Sequence, residues 1–278
     1  MTPPGETALA GVMGWPVAHS LSPRLHRFWL DRYGIDGAYE PIAVPPEDFD
    51  NTIRNLASTG FRGVNLTIPH KEAGLKVCDE VDDLARRIGA VNTVVLEEGR
   101  LVGSNTDAFG FIENLRHGAP GWNPAAGPAF VLGGGGAARA VAVALADAGA
   151  PEVRVCNRTA ARAEALAAAL GAPAVAVPWA EREAGLGGAA LLVNATSLGM
   201  TGQPGLELDL HELPVSALVT DIVYTPLETA LLARARARGN PAVDGLGMLL
   251  HQARPGFEAW FGVAPEVTAK LRAFVLSA

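Results

Sequence analysis

Cysteine is scarce in this chain. There are two, Cys78 and Cys156, far apart in sequence, so no disulfide framework is encoded, and both read as reduced structural thiols of a cytosolic protein. Positive charge is also short: 22 Lys and Arg stand against 29 Asp and Glu, for a net charge of −7, and no basic cluster is longer than Arg86-Arg87. That argues against nucleic acid and against anionic membranes as partners. No uncharged apolar run approaches the length of a membrane span. No Lys or Arg precedes Arg24, and no long apolar core precedes it either, so no signal peptide is expected. The six histidines show no ligand spacing, and no metal site is expected. What remains is 278 residues, 49 % of them hydrophobic: enough for one large globular domain or two ordinary ones.

The densest signal lies midway. The apolar run Ala129-Phe130-Val131-Leu132 enters four consecutive glycines, Gly133, Gly134, Gly135 and Gly136. A small-residue helix follows from Ala137, then Gly149, the apolar run Val153–Cys156 and the triplet Asn157-Arg158-Thr159. Strand, glycine turn, helix and strand follow in order, and Gly133, Gly135 and Ala138 match G-x-G-x-x-[GA]. The first glycine permits a tight turn, the second lets a pyrophosphate approach the backbone, and the third small residue lets helix and strand pack closely. The N–H groups opening the helix from Ala137 would face the phosphates, which the helix dipole also favours.

The next strand separates the two nicotinamide cofactors. An NAD site usually carries an acid about 20 residues after the glycines, on the ribose 2′-hydroxyl. Here the strand ends Cys156-Asn157-Arg158. Arg158 can present its fork of donors to a 2′-phosphate, Thr159 can cap the next helix and donate to the same group, and Arg162 adds a cation one turn on. NADP(H) is therefore the expected cofactor; otherwise Arg158 is a solvated loop arginine.

Strand-like runs recur after the turn at Leu191–Ala195, Leu218–Ile222 and Ala242–Asp244, with Ala174–Val177 before them. Together with the two already named they make six, separated by alanine-rich helical segments ending at Gly149, Gly171 and Gly239. This predicts an α/β fold whose second part is a Rossmann-like, doubly wound parallel sheet. About 130 residues precede the turn, enough for a separate α/β domain. There Leu9–Gly14 reads as a strand, Ser22-Pro23 opens a helix with Ser22 as N-cap, and Gly34 ends it. Val64, Leu66 and Ile68 alternate as one face of a strand, Pro69 starts a helix, and Glu98-Gly99-Arg100 turns a hairpin. The segment after Gly245 reads as helical to the end.

Four polar clusters precede the glycine turn. Ser20 and Ser22 flank a strand-to-helix junction, where hydroxyls can bind a carboxylate or Ser22 can simply cap. Asn65 and Thr67 share the strand face opposite Val64, Leu66 and Ile68. Lys71 follows in the first turn of a helix, at the positive end of its dipole, a setting for either an acid/base group or an ordinary surface lysine. Asn92 opens another strand. Asp107 closes the run Gly103-Ser104-Asn105-Thr106-Asp107, where it can cap a helix starting near Phe109 or pair with Lys71 around a substrate hydroxyl.

Taken in order, His19-Ser20-Leu21-Ser22-Pro23, Asn65-Leu66-Thr67-Ile68-Pro69-His70-Lys71, Gly89-Ala90-Val91-Asn92-Thr93 and Asn105-Thr106-Asp107 resemble one family. So do the glycine turn, Asn157-Arg158-Thr159, Asn194–Met200, Asp221–Pro226 and Gly245–Gln252. The set is similar to the shikimate dehydrogenases, which reduce 3-dehydroshikimate with NADPH on the route to chorismate and the aromatic amino acids. The resemblance covers nearly the whole chain. It implies a split first domain, residues 1–107 and 246–278, around a cofactor domain, 108–245, with the C-terminal helices returning to bring Gln252 to the substrate.

The resemblance also implies roles. Ser20 and Ser22 would bind the substrate carboxylate. Thr67, Asn92, Asp107 and Gln252 would bind ring hydroxyls, with Asn65 and Tyr224 near the substrate. Lys71 would be the acid/base residue with Asp107 beside it. Gly133–Ala137, Asn157, Arg158, Thr159, Arg162, Thr196, Ile222 and Gly245 would line NADP(H). Gly134, where many relatives carry alanine, should still allow the turn. A cytoplasmic monomer or homodimer is expected. The competing readings are a dual quinate/shikimate dehydrogenase and a non-catalytic NADPH-binding sensor on the same fold; Lys71 and Asp107 speak against the second.

Overall fold

The computed structural model describes residues 7–277. The chain divides into two compact units. One takes the described residues up to Thr106 together with those from Leu250 onward, and the other runs Asp107–Leu249.

In chain order the first unit begins with β1 (Ala8–Gly14), α1 (Ser22–Tyr33), β2 (Gly37–Ala43), α2 (Phe49–Asn55), β3 (Phe61–Leu66) and α3 (Lys71–Val77). It continues with β4 (Glu80–Val81), α4 (Asp83–Ile88), β5 (Thr93–Glu97) and β6 (Arg100–Ser104). The six strands form one mixed sheet ordered β2-β1-β3-β5-β6-β4. β1 is parallel to β2 and β3, while β5 runs antiparallel to β3 and β6. The β5–β6 hairpin turns on Glu98 and Gly99, both at positive φ, as a two-residue loop between twisted strands requires. Met13, Val64, Leu66, Val91 and Val94 pack with Phe49 and Ile53 of α2 in one core.

The second unit opens with α5 (Asp107–Gly118). It continues with β7 (Ala129–Leu132), α6 (Gly136–Asp147), β8 (Val153–Cys156), α7 (Ala160–Leu170) and β9 (Ala174–Val177). β10 (Leu191–Asn194), β11 (Leu218–Asp221), α8 (Ala230–Arg238) and β12 (Ala242–Val243) complete it. The strand order is β12-β11-β10-β7-β8-β9, parallel throughout. Counted within the unit this is 3-2-1-4-5-6 read from the other edge, the doubly wound order, whose direction reverses between β7 and β10. β7 and β10 are buried at every residue, which explains their unbroken apolar runs. Helix α9 (Leu246–Phe261) spans the division between the units, and α10 (Ala269–Leu276) ends the described chain.

Several local expectations need correction. Ser22 is the first helical residue of α1, not its side-chain cap. The preceding Leu21 has helical backbone, and Ser20 Oγ accepts the Ser22 N–H at 3.2 Å, so the capping bond comes from the upstream serine. β3 stops at Leu66, and Ile68 is 73 % exposed. The His70 N–H bonds to the Thr67 carbonyl at 2.8 Å and closes a turn that carries Ile68 out of the sheet. Pro69 lies within that turn, and α3 begins at Lys71. Asp107, not Phe109, opens α5. Thr159 sits at the N-cap of α7 without a side-chain cap bond; its carbonyl accepts the Arg162 N–H at 3.0 Å. Residues 262–268 interrupt the C-terminal helical segment between α9 and α10.

Candidate active site

In the first unit, polar residues from five segments form one buried hydrogen-bonded cluster. Asn65, on β3 and 6 % exposed, lies at its centre. Its Oδ1 accepts the Tyr39 hydroxyl at 2.6 Å, and its Nδ2 donates to the Asn92 carbonyl at 3.0 Å and to Thr93 Oγ1 at 3.1 Å. Ser22, itself buried, lies beside the Tyr39 phenol and favours its ionised form. Both amide protons of Asn65 are thus spent inside the protein, and the residue holds its neighbours in place.

Asn92 continues the chain. Its Nδ2 donates to Thr106 Oγ1 at 3.0 Å and to Gln252 Oε1 at 3.3 Å, and its Oδ1 accepts the Thr106 N–H at 2.8 Å and the Thr93 hydroxyl at 3.0 Å. Tyr39, Asn65, Asn92 and Gln252, scattered over more than two hundred positions, therefore belong to one network, with Ser22 beside Tyr39. Lys71 reaches it through the backbone: its carbonyl accepts the Val91 N–H at 2.8 Å, one residue before Asn92. Thr67 stands just past β3, its N–H bonded to the Met13 carbonyl at 2.9 Å. Ser20 stays beside Ser22 through the bond already described.

Sequence reasoning missed Tyr39, a member of the network, and His26, whose ring stacks on it. Tyr39 is 5 % exposed, and burial pushes its phenol well above the usual range. The fully buried His26 stacks on it among Trp29, Phe257 and Trp260, and burial lowers the imidazole pKa to about 3. Nothing in the local sequence marks either one, because their partners arrive from other strands and from α9.

In the second unit the glycine turn follows β7, and the Ala195–Met200 segment follows β10, so both lie at the point where the strand order reverses. There open α/β sheets bind ligands, outside the carboxyl ends of their strands. Gly133 has φ 130°, and a Cβ on it would lie 2.8 Å from the Ala195 carbonyl oxygen and 3.1 Å from the Ala138 Cβ. That close approach is why a glycine and a small residue recur here. Gly135 caps α6 with no side-chain bond to the helix, and a Cβ placed on it would meet nothing within 4 Å. Open space therefore stands beside the N–H groups of Gly136 and Ala137, as a bound pyrophosphate requires.

Toward the adjoining strand, Gly134 is buried against Arg162, whose Cβ would lie 2.9 Å from a Cβ at position 134, and against Asn157. Arg158, Thr159 and Arg162 are exposed at this edge, where their polar groups can meet a charged ligand. Thr196 donates its hydroxyl to Asn194 Oδ1 at 2.7 Å, and Gly245 packs against the Asp221 and Ile222 backbone. Tyr224 is half-buried after β11, its hydroxyl pKa raised by burial. Asp107 is buried at the start of α5. Cys78 and Cys156 are free thiols, each pushed to about 11 chiefly by burial, which leaves them unreactive.

Comparison with known proteins identifies the family. Residues 12–94 match the family model for the shikimate dehydrogenase substrate binding domain, and residues 124–200 match the model for shikimate / quinate 5-dehydrogenase. The shikimate dehydrogenase (NADP(+)) of Paramagnetospirillum magneticum is 64 % identical over 98 % of this chain and 99 % of its own length. Among solved structures, shikimate 5-dehydrogenase from Thermus thermophilus in complex with NADP(H) and shikimate is 44 % identical. It superposes with a TM-score of 0.88 over 98 % of this chain and 99 % of that one. Quinate dehydrogenase from Corynebacterium glutamicum in complex with NAD is 33 % identical with a TM-score of 0.90, over 98 % of this chain and 99 % of that one. With its ordered motifs, its doubly wound second unit and relatives of this identity along nearly its whole length, the chain belongs to the shikimate dehydrogenase family.

Proposed function

We propose that the protein reduces 3-dehydroshikimate to shikimate with NADPH, reversibly, on the route to chorismate and the aromatic amino acids. The observation that carries this reading is the buried network joining Tyr39, Asn65, Asn92 and Gln252, with Ser22 beside it. It supplies neutral donors and acceptors at fixed positions, as recognition of a small polyhydroxylated acid requires.

Residues 1–107 and 246–278 act as the substrate domain and 108–245 as the cofactor domain. Ser20 and Ser22 bind the carboxylate. Thr67, Asn92, Asp107 and Gln252 bind ring hydroxyls, Tyr224 contributes to substrate binding, and Asn65 sets the position of its neighbours. Arg158 pairs with the 2′-phosphate of NADP(H), aided by Asn157, Thr159 and Arg162. Gly133 to Ala137 receive the pyrophosphate, and Thr196, Ile222 and Gly245 line the remainder. The open backbone at Gly135 and the uncapped start of α6 fit that group.

NADPH supplies a hydride when bound. The chain's own part is to orient the ketone and deliver a proton to its oxygen, so that hydride and proton together convert the C3 carbonyl into a hydroxyl. Lys71 delivers that proton, with Asp107 assisting. In the reverse direction the same lysine accepts it. The protein works in the cytoplasm as a monomer or homodimer. NADP-dependent oxidation of shikimate by purified protein, with quinate and NAD in parallel, tests the assignment. Turnover with shikimate and NADP well above the other pairs is expected, and NADPH binding without turnover would overturn it.

A further inference from the structure

At the carboxyl ends of β10 and β11 one carboxylate organises two loops. Asp221 is fully buried. Its Oδ1 accepts Asn194 Nδ2 and the Val223 N–H, each at 3.0 Å, and its Oδ2 accepts the Thr229 hydroxyl at 2.7 Å. Burying a charge is costly unless it is well hydrogen-bonded, and here three donors converge on an acceptor-only group. Burial still raises its pKa, against the pull of those donors.

The bonds extend outward from Asp221. Asn194, itself fully buried, gives its second amide proton to the Leu198 carbonyl at 3.0 Å. Its Oδ1 accepts from both the N–H and the hydroxyl of Thr196, at 3.1 and 2.7 Å. Thr196 Oγ1 in turn accepts the Leu198 N–H at 3.1 Å. Through Asn194, then, the carboxylate fixes the loop that carries Thr196; directly, through Val223, it fixes the loop that carries Ile222 and Tyr224. Two backbone bonds tie these loops together, Ile222 N–H to the Asn194 carbonyl at 3.0 Å and Thr201 N–H to the Thr225 carbonyl at 2.8 Å. The Asp221 side chain adds a link of its own, bonded to Asn194 on one side and to Val223 on the other.

We propose that Asp221 is a positioning residue for cofactor binding, acting through Asn194 and Val223 to hold the Thr196 and Tyr224 loops in their ligand-ready shape. The inference rests on the reading of these loops as part of the NADP(H) site. The carboxylate accepts on both sides, and the substitution Asp221→Asn would retain most of the pattern. An amide oxygen can accept from Asn194 and Val223, while the amide nitrogen donates to a Thr229 hydroxyl that has turned to accept.

The experiment measures Kd for NADPH by fluorescence in the full-length protein for Asp221→Leu, Asp221→Asn and Asn194→Ala, with Arg158→Ala as reference and melting temperature recorded throughout. Asp221→Leu should raise Kd about tenfold or more, the scale of losing hydrogen bonds to a charged group. Asp221→Asn should recover to within about threefold of the parent. A role in stability alone would lower the melting temperature and leave Kd unchanged. If Asp221→Leu does not fold, Asn194→Ala, which cuts the branch through Asn194 and leaves Val223 and Thr229 bonded to the carboxylate, carries the test. The proposal is overturned if the folded variants bind NADPH as the parent does, or if Asp221→Asn loses as much as Asp221→Leu. If Arg158→Ala also binds NADPH normally, the reading of the cofactor site is at fault; if Arg158→Ala is impaired, the positioning role alone has failed.

Discussion

Tyr39 donates its hydroxyl to Asn65 Oδ1 at 2.6 Å, and the buried Ser22 lies beside the same phenol. One phenol thus adjoins both the serine proposed for the carboxylate and the asparagine that orders Asn92 and Thr93. Tyr39→Phe keeps the ring and its packing but leaves Asn65 Oδ1 without this donor. The cost, about 1–3 kcal/mol for a buried unsatisfied acceptor, should appear as a KM for shikimate raised roughly fivefold or more. KM for NADP should stay within about twofold. Steady-state kinetics with each substrate varied in turn checks this, and equal changes in both constants would count against a substrate-side role.

Lys71 opens α3 next to the network. Lys71→Ala should lower kcat by roughly 10²–10⁴, the usual size of an acid/base contribution, with little change in KM. A variant with near-normal kcat would remove Lys71 from the chemistry.

Arg158 is exposed at the end of β8, where many dinucleotide sites carry an acid. Arg158→Ala should raise KM for NADPH about tenfold or more, since a charge-assisted pair is lost. NADH, which lacks the 2′-phosphate, should be used almost as before. Comparing kcat/KM for the two cofactors decides; parallel losses would show that Arg158 does not read the phosphate.

His26 gives a prediction about acid. Its imidazole has a pKa of about 3 in the folded protein, against about 6.5 when unfolded. The folded state holds it neutral, while below about pH 6.5 the unfolded chain takes up a proton there. Its contribution is therefore fully present above pH 6.5 and declines as pH falls toward about 3, by about 1.4 kcal/mol per pH unit from this one group. Burial also lowers His70, which adds in the same direction. Urea unfolding at pH 7, 6 and 5 should show the parent losing stability more steeply than His26→Leu. Parallel curves would mean that His26 is charged in the native state.

The doubly wound sheet was legible because each of its strands is a compact apolar run set off by glycine and alanine-rich helices. β7, β8 and β9 match the apolar runs residue for residue. Ile68 departs from the alternation because the His70–Thr67 bond turns the chain out of the sheet after Leu66, a contact that hydrophobic pattern does not encode. Ser22 departs from its pattern for a related reason: serine before proline is the sequence signal of a cap, but the backbone at Leu21 decides which hydroxyl can reach an N–H.

By itself the sequence determined the α/β class, the glycine turn with its dinucleotide preference, and the family, because these reside in local spacing: which residue follows a strand, which opens a helix, which small side chain lets them close. Only the tertiary structure decided that Asn65 spends its amide protons on Asn92 and Thr93, that His26 stacks on Tyr39 beside them, and that Asp221 bonds to two loops. Each of these depends on hydrogen bonds and ring contacts between segments far apart in the chain. Such contacts exist only once sheet register and helix packing have brought the partners within about 3 Å for a hydrogen bond or within about 4.5–7 Å for a ring pair.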